Sequence, residues 1–479
     1  MNKPIGTLSV SVLGKYAAPD TALLQKSYQQ VLDKLTRKIV VLDDDPTGIQ
    51  TVHGVSVYTD WETASLEAGF REPGKMFFVL TNSRGFTVAQ TRQAHEEIAA
   101  NLAEAAKRTN SDFLLISRSD STLRGHYPLE TEVLRDTLEA KTGKRYDGEI
   151  LMPFFKEGGR FTIGNVHYVR EEDMLIPAAQ TDYARDKSFG YKSSDLTEWC
   201  EEKAMGAYPA HDVVCISLED LRTLHIHKIT AQLLEVTDFK KVIVNAIDYC
   251  DVQVFAIALI GALQLGKEFL FRSAAALTKV LGGVPDKPLL TREQLIKPEN
   301  RNGGMILVGS HVKKTTQQVE ELHTSNLPIK FIEFNQHLVL HKGGLDSEVA
   351  RVVAIAEETI KAGKTVAVYT RRERFDLPTG DPDEQIRVSV EISDAVTSIV
   401  GKLNVRPSFI IAKGGITSSD VGTKALKVKR AMVMGQIQPG IPVWMTGAES
   451  KFSNMPYIIF PGNVGEADTL RKAVELLMK

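Results

Sequence analysis

The chain has 479 residues, with 58 lysines and arginines against 60 aspartates and glutamates, and its formal charge at pH 7 is −2. A near-neutral chain has no overall electrostatic attraction for nucleic acid or for an anionic membrane, so we expect neither as a partner. The 43% hydrophobic and 25% charged residues exclude a disordered or collagen-like chain. Three scattered cysteines and no apolar stretch long enough to span a bilayer predict a soluble, cytoplasmic protein.

Short apolar runs alternate with helix-period segments along the whole chain. The runs are 38–42, 75–80, 112–116, 149–154, 212–216, 241–246, 304–309, 329–334, 364–369, 408–413, 441–445 and 457–460. Segments with a helical period include 87–108, 218–236, 347–362 and 385–403, and the longest apolar stretch, 252–265, predicts a buried helix. Nearly continuous apolar runs are typical of strands covered on both faces, so the sequence predicts an α/β fold with largely parallel sheets flanked by helices. The Gly164-Asn165 pair within 161–169 predicts a β-hairpin.

Composition places one domain boundary in the second half of the chain. Residues 282–304 concentrate glycine, proline and charge without periodicity, which indicates a linker. We therefore predict an N-terminal extension (1–36), a first domain (37–272), a linker (273–303) and a second domain (304–479).

Three consecutive carboxylates, Asp43, Asp44 and Asp45, directly follow the first strand run and precede Pro46-Thr47-Gly48. Adjacent carboxylates repel one another unless backbone N–H groups, a cation or a basic residue compensates, or one of them holds its proton. The turn is interpreted either as a site for a metal, for substrate hydroxyls or for proton abstraction, or as a solvated helix cap.

A second polar segment, Ser117–His126, follows another strand run. Arg124 offers a planar fork of donors suited to a carboxylate or phosphate, and Asp120 and Ser121 could bind substrate hydroxyls. The alternative is an N-capped helix start with a surface arginine. Three arginines each follow a different predicted strand: Arg84, Arg124 and Arg160. If the sheet is parallel, they converge on one edge, which points to a small anionic ligand.

Glycine-rich loops follow three strand runs of the second domain, at 309–311, 413–420 and 461–465. Such loops let backbone N–H groups face phosphate oxygens. There is no Walker A motif, no GxGxxG after a first strand and no HExxH spacing. The loops therefore indicate phosphate binding outside the common fingerprints, and a tight zinc site is not expected.

These motifs resemble the four-carbon acid sugar kinases, a family long described as a domain of unknown function. The matching segments are DDDPTG (43–48), SDSTLRG (119–125), GGR (158–160), GNVHYV (164–169), GSH (309–311), KGGITSSD (413–420) and PGNVG (461–465). The resemblance implies an N-terminal domain that binds the sugar acid, a C-terminal domain that binds ATP, and an active site in the interdomain cleft. It implies ATP-dependent phosphorylation of the C4 hydroxyl of threonate, erythronate or an oxo-tetronate, with Mg²⁺.

Specific roles follow from this resemblance. We expect Arg124, with Arg84 or Arg160, to hold the substrate carboxylate. The substrate hydroxyls are assigned to Asp120 and Ser121, next to Gly125. One aspartate of 43–45 accepts the C4-hydroxyl proton, with Asp44 the first candidate. The residues expected to bind the nucleotide are Gly309, Ser310, Gly414, Gly415, Ile416, Thr417, Gly462, Asn463 and Gly465.

One position departs from the family pattern. Relatives often carry an acidic residue where this chain has Ile416, so the resemblance does not define the metal ligands. Asp420 lies near enough in sequence to be a substitute. Two other functions stay open: an oxidoreductase acting on a similar sugar acid, and a non-catalytic sensor of a sugar acid or nucleotide. A symmetric homodimer is the default expectation for the oligomeric state.

Overall fold

A computed structural model describes residues 5–373, 375, 377 and 382–478. Its strands are β1 (Leu8–Ser9), β2 (Lys38–Asp43), β3 (Ser56–Tyr58), β4 (Met76–Leu80), β5 (Phe113–Arg118), β6 (Gly148–Met152), β7 (Arg160–Ile163), β8 (Val166–Glu171), β9 (Met174–Pro177), β10 (Val214–Ile216), β11 (Lys240–Val244), β12 (Phe269–Ser273), β13 (Met305–Val308), β14 (Ile329–Phe334), β15 (Thr365–Thr370), β16 (Ile410–Lys413), β17 (Arg430–Gln438), β18 (Ile441–Thr446) and β19 (Pro456–Phe460).

The α-helices are α1 (Thr21–Leu32), α2 (Thr63–Arg71), α3 (Val88–Thr109), α4 (Leu129–Thr142), α5 (Leu196–Lys203), α6 (Leu218–Arg222), α7 (Ile226–Leu234), α8 (Tyr249–Gln264), α9 (Ala275–Leu281), α10 (Arg292–Leu295), α11 (Lys313–His323), α12 (Gly344–Lys361), α13 (Pro382–Lys402), α14 (Gly415–Asp420) and α15 (Thr469–Met478). The described part of the chain contains no helix long and apolar enough to cross a bilayer.

The chain divides into two compact units, of which unit 1 comprises Met1–Thr51 and Asp60–Pro285. Its main sheet has the order β10-β11-β6-β12-β5-β2-β4, and each neighbouring pair is parallel. The strands are almost entirely buried, because helices such as the apolar α8 cover the sheet. Parallel strands end at the same edge, so the loops after β2, β4, β5, β6 and β12 emerge together.

A small antiparallel sheet also belongs to unit 1, in the order β1-β9-β8-β7. The turn Gly164-Asn165 joins β7 to β8, and both residues have positive φ, at 56° and 68°. The predicted hairpin is therefore confirmed.

Unit 2 comprises Val52–Thr59 and Asp286–Lys479. Its sheet has the order β3-β17-β18-β19-β16-β13-β15-β14. The pairs from β3 to β19 are antiparallel, and those from β19 to β14 are parallel. The ends of β13, β16 and β19, where the glycine loops begin, are direct neighbours in the parallel half.

The predicted α/β class, with two domains and largely parallel sheets, is confirmed. The twelve predicted runs all contain strands, and the helix predicted at 252–265 is the buried helix α8, which ends at Gln264. The single helix predicted at 218–236 is wrong: it is two helices, α6 and α7, separated at Leu224, which has a left-handed φ of 57°. A helix start was an alternative for residues 117–126. Residues 117–118 end β5, residues 119–126 form a loop with turns, and α4 begins only at Leu129.

Candidate functional site

Two carboxylates of the acidic turn of unit 1 are paired with an arginine from the loop after β4. Nη2 and Nε of Arg84 lie 2.6 and 3.1 Å from Oδ1 and Oδ2 of Asp44. Nη1 of Arg84 lies 3.4 Å from Oδ2 of Asp45. Burial raises the pKa of Asp44, whereas in Asp45 the charge of Arg84 and the hydrogen bonds from Thr47 outweigh burial and hold the pKa below its usual value.

Asp43 lies deeper, at the end of β2. It is in register with Arg118 on the neighbouring strand β5, and Nη1 of Arg118 is 3.2 Å from Oδ1 of Asp43. Burial raises the pKa of Asp43 to about 7 despite this arginine. A Cβ atom at Gly48 would overlap the Asp43 carboxylate, so the turn closes over Asp43 only because position 48 has no side chain.

The loop after β5 contains a second ion pair. Nε of Arg124 is 2.7 Å from Oδ2 of Asp120, which also accepts from the Thr122 hydroxyl. Although burial acts in the opposite direction, Arg84 and Arg124 hold the pKa of Asp120 far below its usual value. Asp120 is therefore an anion at neutral pH, and Arg84 acts on both acidic loops.

Arg160 has a different set of partners. It donates to the carbonyl of Gly158 and to the hydroxyl of Tyr183, at 3.3 Å in the second case. Its Nε is buried and has no hydrogen-bond partner among the residues that the structure describes. The guanidinium carbons of Arg124 and Arg160 lie 5.1 and 5.5 Å from the centre of the Tyr183 ring, so both guanidinium groups approach the same ring.

The remaining predicted residues of unit 1 surround this cluster. Ser121 is buried, and its carbonyl accepts from Nε2 of His167 at 2.8 Å. Burial lowers the pKa of His167 to about 4, so this ring is neutral at neutral pH. Gly125 lies beside Arg272, whose Nη2 donates to the carbonyl of Arg124 at 3.1 Å.

The structure thus brings Asp43–Asp45, Arg84, Asp120 and Arg124 together, with Arg160 joined to them through Tyr183. Sequence reasoning missed four further charged or aromatic residues of this cluster: Arg118, Tyr183, Asp186 and Arg272. Arg118 lies two residues after the predicted strand run 112–116 and could have been found by its position. Tyr183 lies in a segment without a strand or helix pattern.

In unit 2, the three predicted glycine loops pack against one another. A Cβ atom at Gly414, whose φ is 125°, would lie 3.1 Å from Cβ of Ser310, and one at Gly462 would lie 2.8 Å from Oγ of Ser310. The hydroxyl of Thr315 at the start of α11 donates to the carbonyl of Gly462 at 2.8 Å and lies 3.2 Å from Oγ of Ser310. The ends of three strands are therefore held within a few ångströms of one another.

Two basic residues that were not among the predicted nucleotide-binding residues support these loops. Lys413, the last residue of β16, donates to the carbonyls of Pro461 and Gly462. Arg372 donates to the carbonyl of Ser310 at 2.7 Å, and its Nη1 is buried without a hydrogen-bond partner in the described part of the chain. Nη1 of Arg372 is an available donor next to the loops.

A cavity of about 400 Å³ opens beside two of the loops, and Gly309, Ile416 and Thr417 line it. Its other wall comes from α13 and the segment before it, including Phe375 and Val390. Ile416 and Val390 are exposed, at 73% and 52%, which leaves apolar surface facing the cavity uncovered. Asn463 is exposed on the third loop, which Gln318 fixes by donating to the carbonyl of Val464 at 3.0 Å.

The carboxylate next to the cavity suits a cation that binds together with phosphate groups. Asp420 lines it, accepts from Ser393 at 3.3 Å and pairs with Lys424 at 3.3 Å. No group of three or more His, Cys, Asp or Glu side chains within the described ranges could hold a metal ion. Mg²⁺ commonly binds through one or two carboxylates together with substrate phosphates and water, and the residues present fit that mode.

Comparisons with known proteins match a different domain to each half of the chain. Residues 39–281 match the sugar-binding N-terminal domain, and residues 305–470 match the nucleotide-binding C-terminal domain. The two domains together define the four-carbon acid sugar kinases, and the chain belongs to this family. No curated protein matches the chain in sequence.

Three solved structures are similar to the chain. A Haemophilus influenzae protein of the same family aligns with a TM-score of 0.61 at 16% identity, over 91% of this chain and 100% of that one. A Salmonella typhimurium protein named as a candidate tRNA synthase aligns with a TM-score of 0.65 at 14% identity, over 91% and 98%. A Bordetella bronchiseptica protein, a domain-swapped dimer with bound citrate, aligns with a TM-score of 0.36 at 18% identity, over 92% and 98%.

Proposed function

We propose that the protein is a kinase that transfers the γ-phosphoryl group of ATP to the C4 hydroxyl of a four-carbon sugar acid. The observation that carries this proposal is the match of a sugar-binding and a nucleotide-binding domain to the two units, each of which has a polar cluster at the carboxyl ends of its parallel strands. Open α/β sheets bind ligands at these ends.

We assign the substrate carboxylate chiefly to Arg160. Arg84 and Arg124 are already paired with Asp44 and Asp120, so their charges are largely compensated. Arg160 is bonded to a carbonyl and a hydroxyl, and its buried Nε is free to donate. A carboxylate near Tyr183 would receive donors from Arg160 and from the remaining nitrogens of Arg124. Asp120 and Ser121 would then face the hydroxyl groups.

We assign Asp45 as the group that accepts the proton of the C4 hydroxyl. Its side chain is 22% exposed, against 3% for Asp44 and 2% for Asp43, so it is the most accessible of the three carboxylates. In phosphoryl transfer such a group orients the hydroxyl and accepts its proton as the bond to phosphorus forms, so an anionic carboxylate is sufficient. Asp44 and Asp43 hold Arg84 and Arg118 in place behind it.

ATP is assigned to the glycine loops of unit 2. Their N–H groups and Nη1 of Arg372 would donate to the phosphates, and the adenine ring would cover Ile416 and Val390 in the cavity. Bound Mg²⁺ would neutralise charge on the phosphates, with Asp420 as its protein ligand. The glycine loops, Arg372 and the residues of the cavity would position ATP and exclude water, which competes with the sugar acid as acceptor of the phosphoryl group.

The test is a kinase screen in which ADP release is measured with D- and L-threonate, D- and L-erythronate and the oxo-tetronates. We expect one of these acids to give ADP and a 4-phosphorylated product identified by mass and ³¹P NMR. If none is phosphorylated by a folded protein that binds ATP, the proposal is wrong. Reduction of NAD⁺ with a sugar acid would instead support the oxidoreductase.

A further inference from the structure

A fully buried lysine lies among the glycine loops of unit 2. Lys413 has no exposed surface, and its Nζ lies 4.0 Å from the centre of the Phe460 ring. Its hydrogen-bond acceptors are the carbonyl oxygens of Pro461 and Gly462, the second at 3.2 Å. Both acceptors are neutral. An ammonium group that is buried without a compensating anion is unfavourable unless a ligand supplies the negative charge.

The contacts of Lys413 join two of the loops. Gly414, the next residue, donates from its backbone N–H to the carbonyl of Phe460 at 2.8 Å, so the chain on either side of the lysine is held to β19 and the turn after it. The carbonyl of Gly462 accepts from both Lys413 and Thr315. Removal of the ammonium group would leave the buried carbonyl of Pro461 without this donor and the carbonyl of Gly462 with Thr315 alone, and would loosen the 461–465 loop.

We propose that Lys413 is a positioning residue for nucleotide binding. It holds the loop 461–465 in place through its hydrogen bonds, and the phosphates of the nucleotide supply its missing counter-charge. This inference deepens the proposed function, since it rests on ATP binding at the glycine loops. It assigns no role to Lys413 in the sugar acid site or in proton transfer.

A consequence is that nucleotide binding is linked to protonation. Burial, and to a smaller extent Lys314, lower the pKa of Lys413 to about 7. Bound phosphates favour the ammonium form, so binding near neutral pH takes up a proton, and affinity falls as pH rises through 7 and 8. The charged or titratable side chains near these loops include His311, Lys314, Arg372, Asp394, Asp420 and Lys424, and they are unchanged in all variants compared below.

The experiment is calorimetric titration with ADP, without sugar acid, at pH 6.5 to 8.5 in two buffers of different ionisation enthalpy. The wild type should take up protons near pH 7.5 and bind more weakly at pH 8.5. Lys413→Arg keeps a charge that does not titrate, so its proton uptake should be smaller and its affinity should vary less with pH. Lys413→Met should bind at least about tenfold more weakly at pH 6.5, since hydrogen bonds to a charged group are lost.

The matched control is Lys451→Met, because Lys451 also lies over a phenylalanine ring, at 5.4 Å, but on an exposed part of unit 2. It should bind ADP as the wild type does. A folded Lys413→Met with unchanged affinity, or a Lys413→Arg with the pH profile and proton uptake of the wild type, would overturn the inference. If Lys413→Met does not fold, the arginine variant decides alone.

The result also separates the inference from the proposed function. A wild type that binds ADP with proton uptake dependent on Lys413, but phosphorylates no sugar acid, supports the role of Lys413 and overturns the kinase assignment. A wild type that binds no ADP overturns both.

Discussion

Arg84 lies against Asp44 in a two-point contact, with Nη2 2.6 Å from Oδ1 and Nε 3.1 Å from Oδ2. Such a fork-to-carboxylate pair is the geometry in which an arginine would bind a substrate carboxylate. Here a protein carboxylate already occupies it. Arg84, together with Arg118 beside Asp43, therefore explains how the chain tolerates three adjacent aspartates. Because Arg84 is already paired, we propose Arg160 as the arginine that binds the substrate carboxylate.

The first prediction concerns Arg160. Arg160→Met should raise KM for the sugar acid by about tenfold or more, because a charge-assisted contact is lost, and should leave the Kd for ATP unchanged. Steady-state kinetics with the sugar acid varied give KM, and calorimetric titration with ATP gives Kd. Arg135→Met is the control, since Arg135 also packs over an aromatic ring, that of Phe239, at 4.4 Å. An unchanged KM in Arg160→Met would instead favour Arg124 as the residue that binds the substrate carboxylate.

The second prediction distinguishes the three aspartates. Asp45→Asn should lower kcat by about 10²-fold or more, the usual loss for a residue that accepts a proton in the transition state. Its ATP affinity should not change. Asp33→Asn, a variant of an aspartate with a 79% exposed side chain, is the control. If Asp45→Asn keeps its turnover and Asp44→Asn loses it, the proton acceptor is Asp44.

The third prediction is a pH dependence of stability. Because the pKa of Asp43 is raised to about 7, the folded chain keeps a proton that the unfolded chain loses above about pH 4. This contribution to stability is complete below pH 4 and is lost as pH rises through 7. The free energy of unfolding of Asp43→Asn, relative to the wild type, should increase by roughly 2 kcal/mol from pH 5 to pH 8. Urea denaturation at both pH values measures it, and a constant or falling difference would contradict the prediction.

The fourth prediction concerns the turn over Asp43. Gly48→Ala should reduce the free energy of unfolding by about 1–3 kcal/mol, because a Cβ atom would overlap the Asp43 carboxylate and force it to move. Thermal and chemical denaturation give the value. Gly14→Ala provides the comparison, since no atom lies within 4 Å of a Cβ placed there. Equal effects of the two changes would show that the turn is not tightly closed.

The fifth prediction addresses the cavity in unit 2. Ile416→Ser should weaken ATP binding several-fold and leave KM for the sugar acid unchanged, because less apolar surface would be covered by the adenine ring, at about 25 cal/mol per Å². Calorimetry with ATP provides the affinity. Leu340→Ser removes another exposed apolar side chain of unit 2, one that does not line the cavity, and should have no effect. An unaffected ATP affinity in Ile416→Ser would show that the adenine ring binds elsewhere.

Much of the fold could be predicted because both faces of the parallel strands are covered. That requirement leaves an uninterrupted apolar run, as in KIVVL at 38–42, which is visible without any partner. Strand β12 was missed because its second half, Arg272-Ser273, is polar although buried. Leu224 adopts a conformation that its residue type does not indicate, so the break between α6 and α7 was not visible.

The site was only partly predictable for a related reason. The acidic turn and the glycine loops can be recognised in the sequence because their composition is unusual and they directly follow predicted strands. Whether an arginine is free or already paired depends on strand order: Asp43 meets Arg118 only because β2 and β5 are neighbours. The same holds for Lys413, whose partners lie 48 and 49 residues away in sequence. A single sequence gives no measure of such distant pairing.

The assignment of Val52–Thr59 to unit 2 has a consequence for how the chain can be divided. A fragment that starts at Asp286 lacks β3, so the backbone groups of Arg430–Met432 that pair with β3 would be left unpaired at an edge of the sheet. Open edges of this kind recruit strands from other molecules. The nucleotide-binding half is therefore expected to self-associate when expressed alone, unless the octapeptide 52–59 is supplied in trans or fused to it.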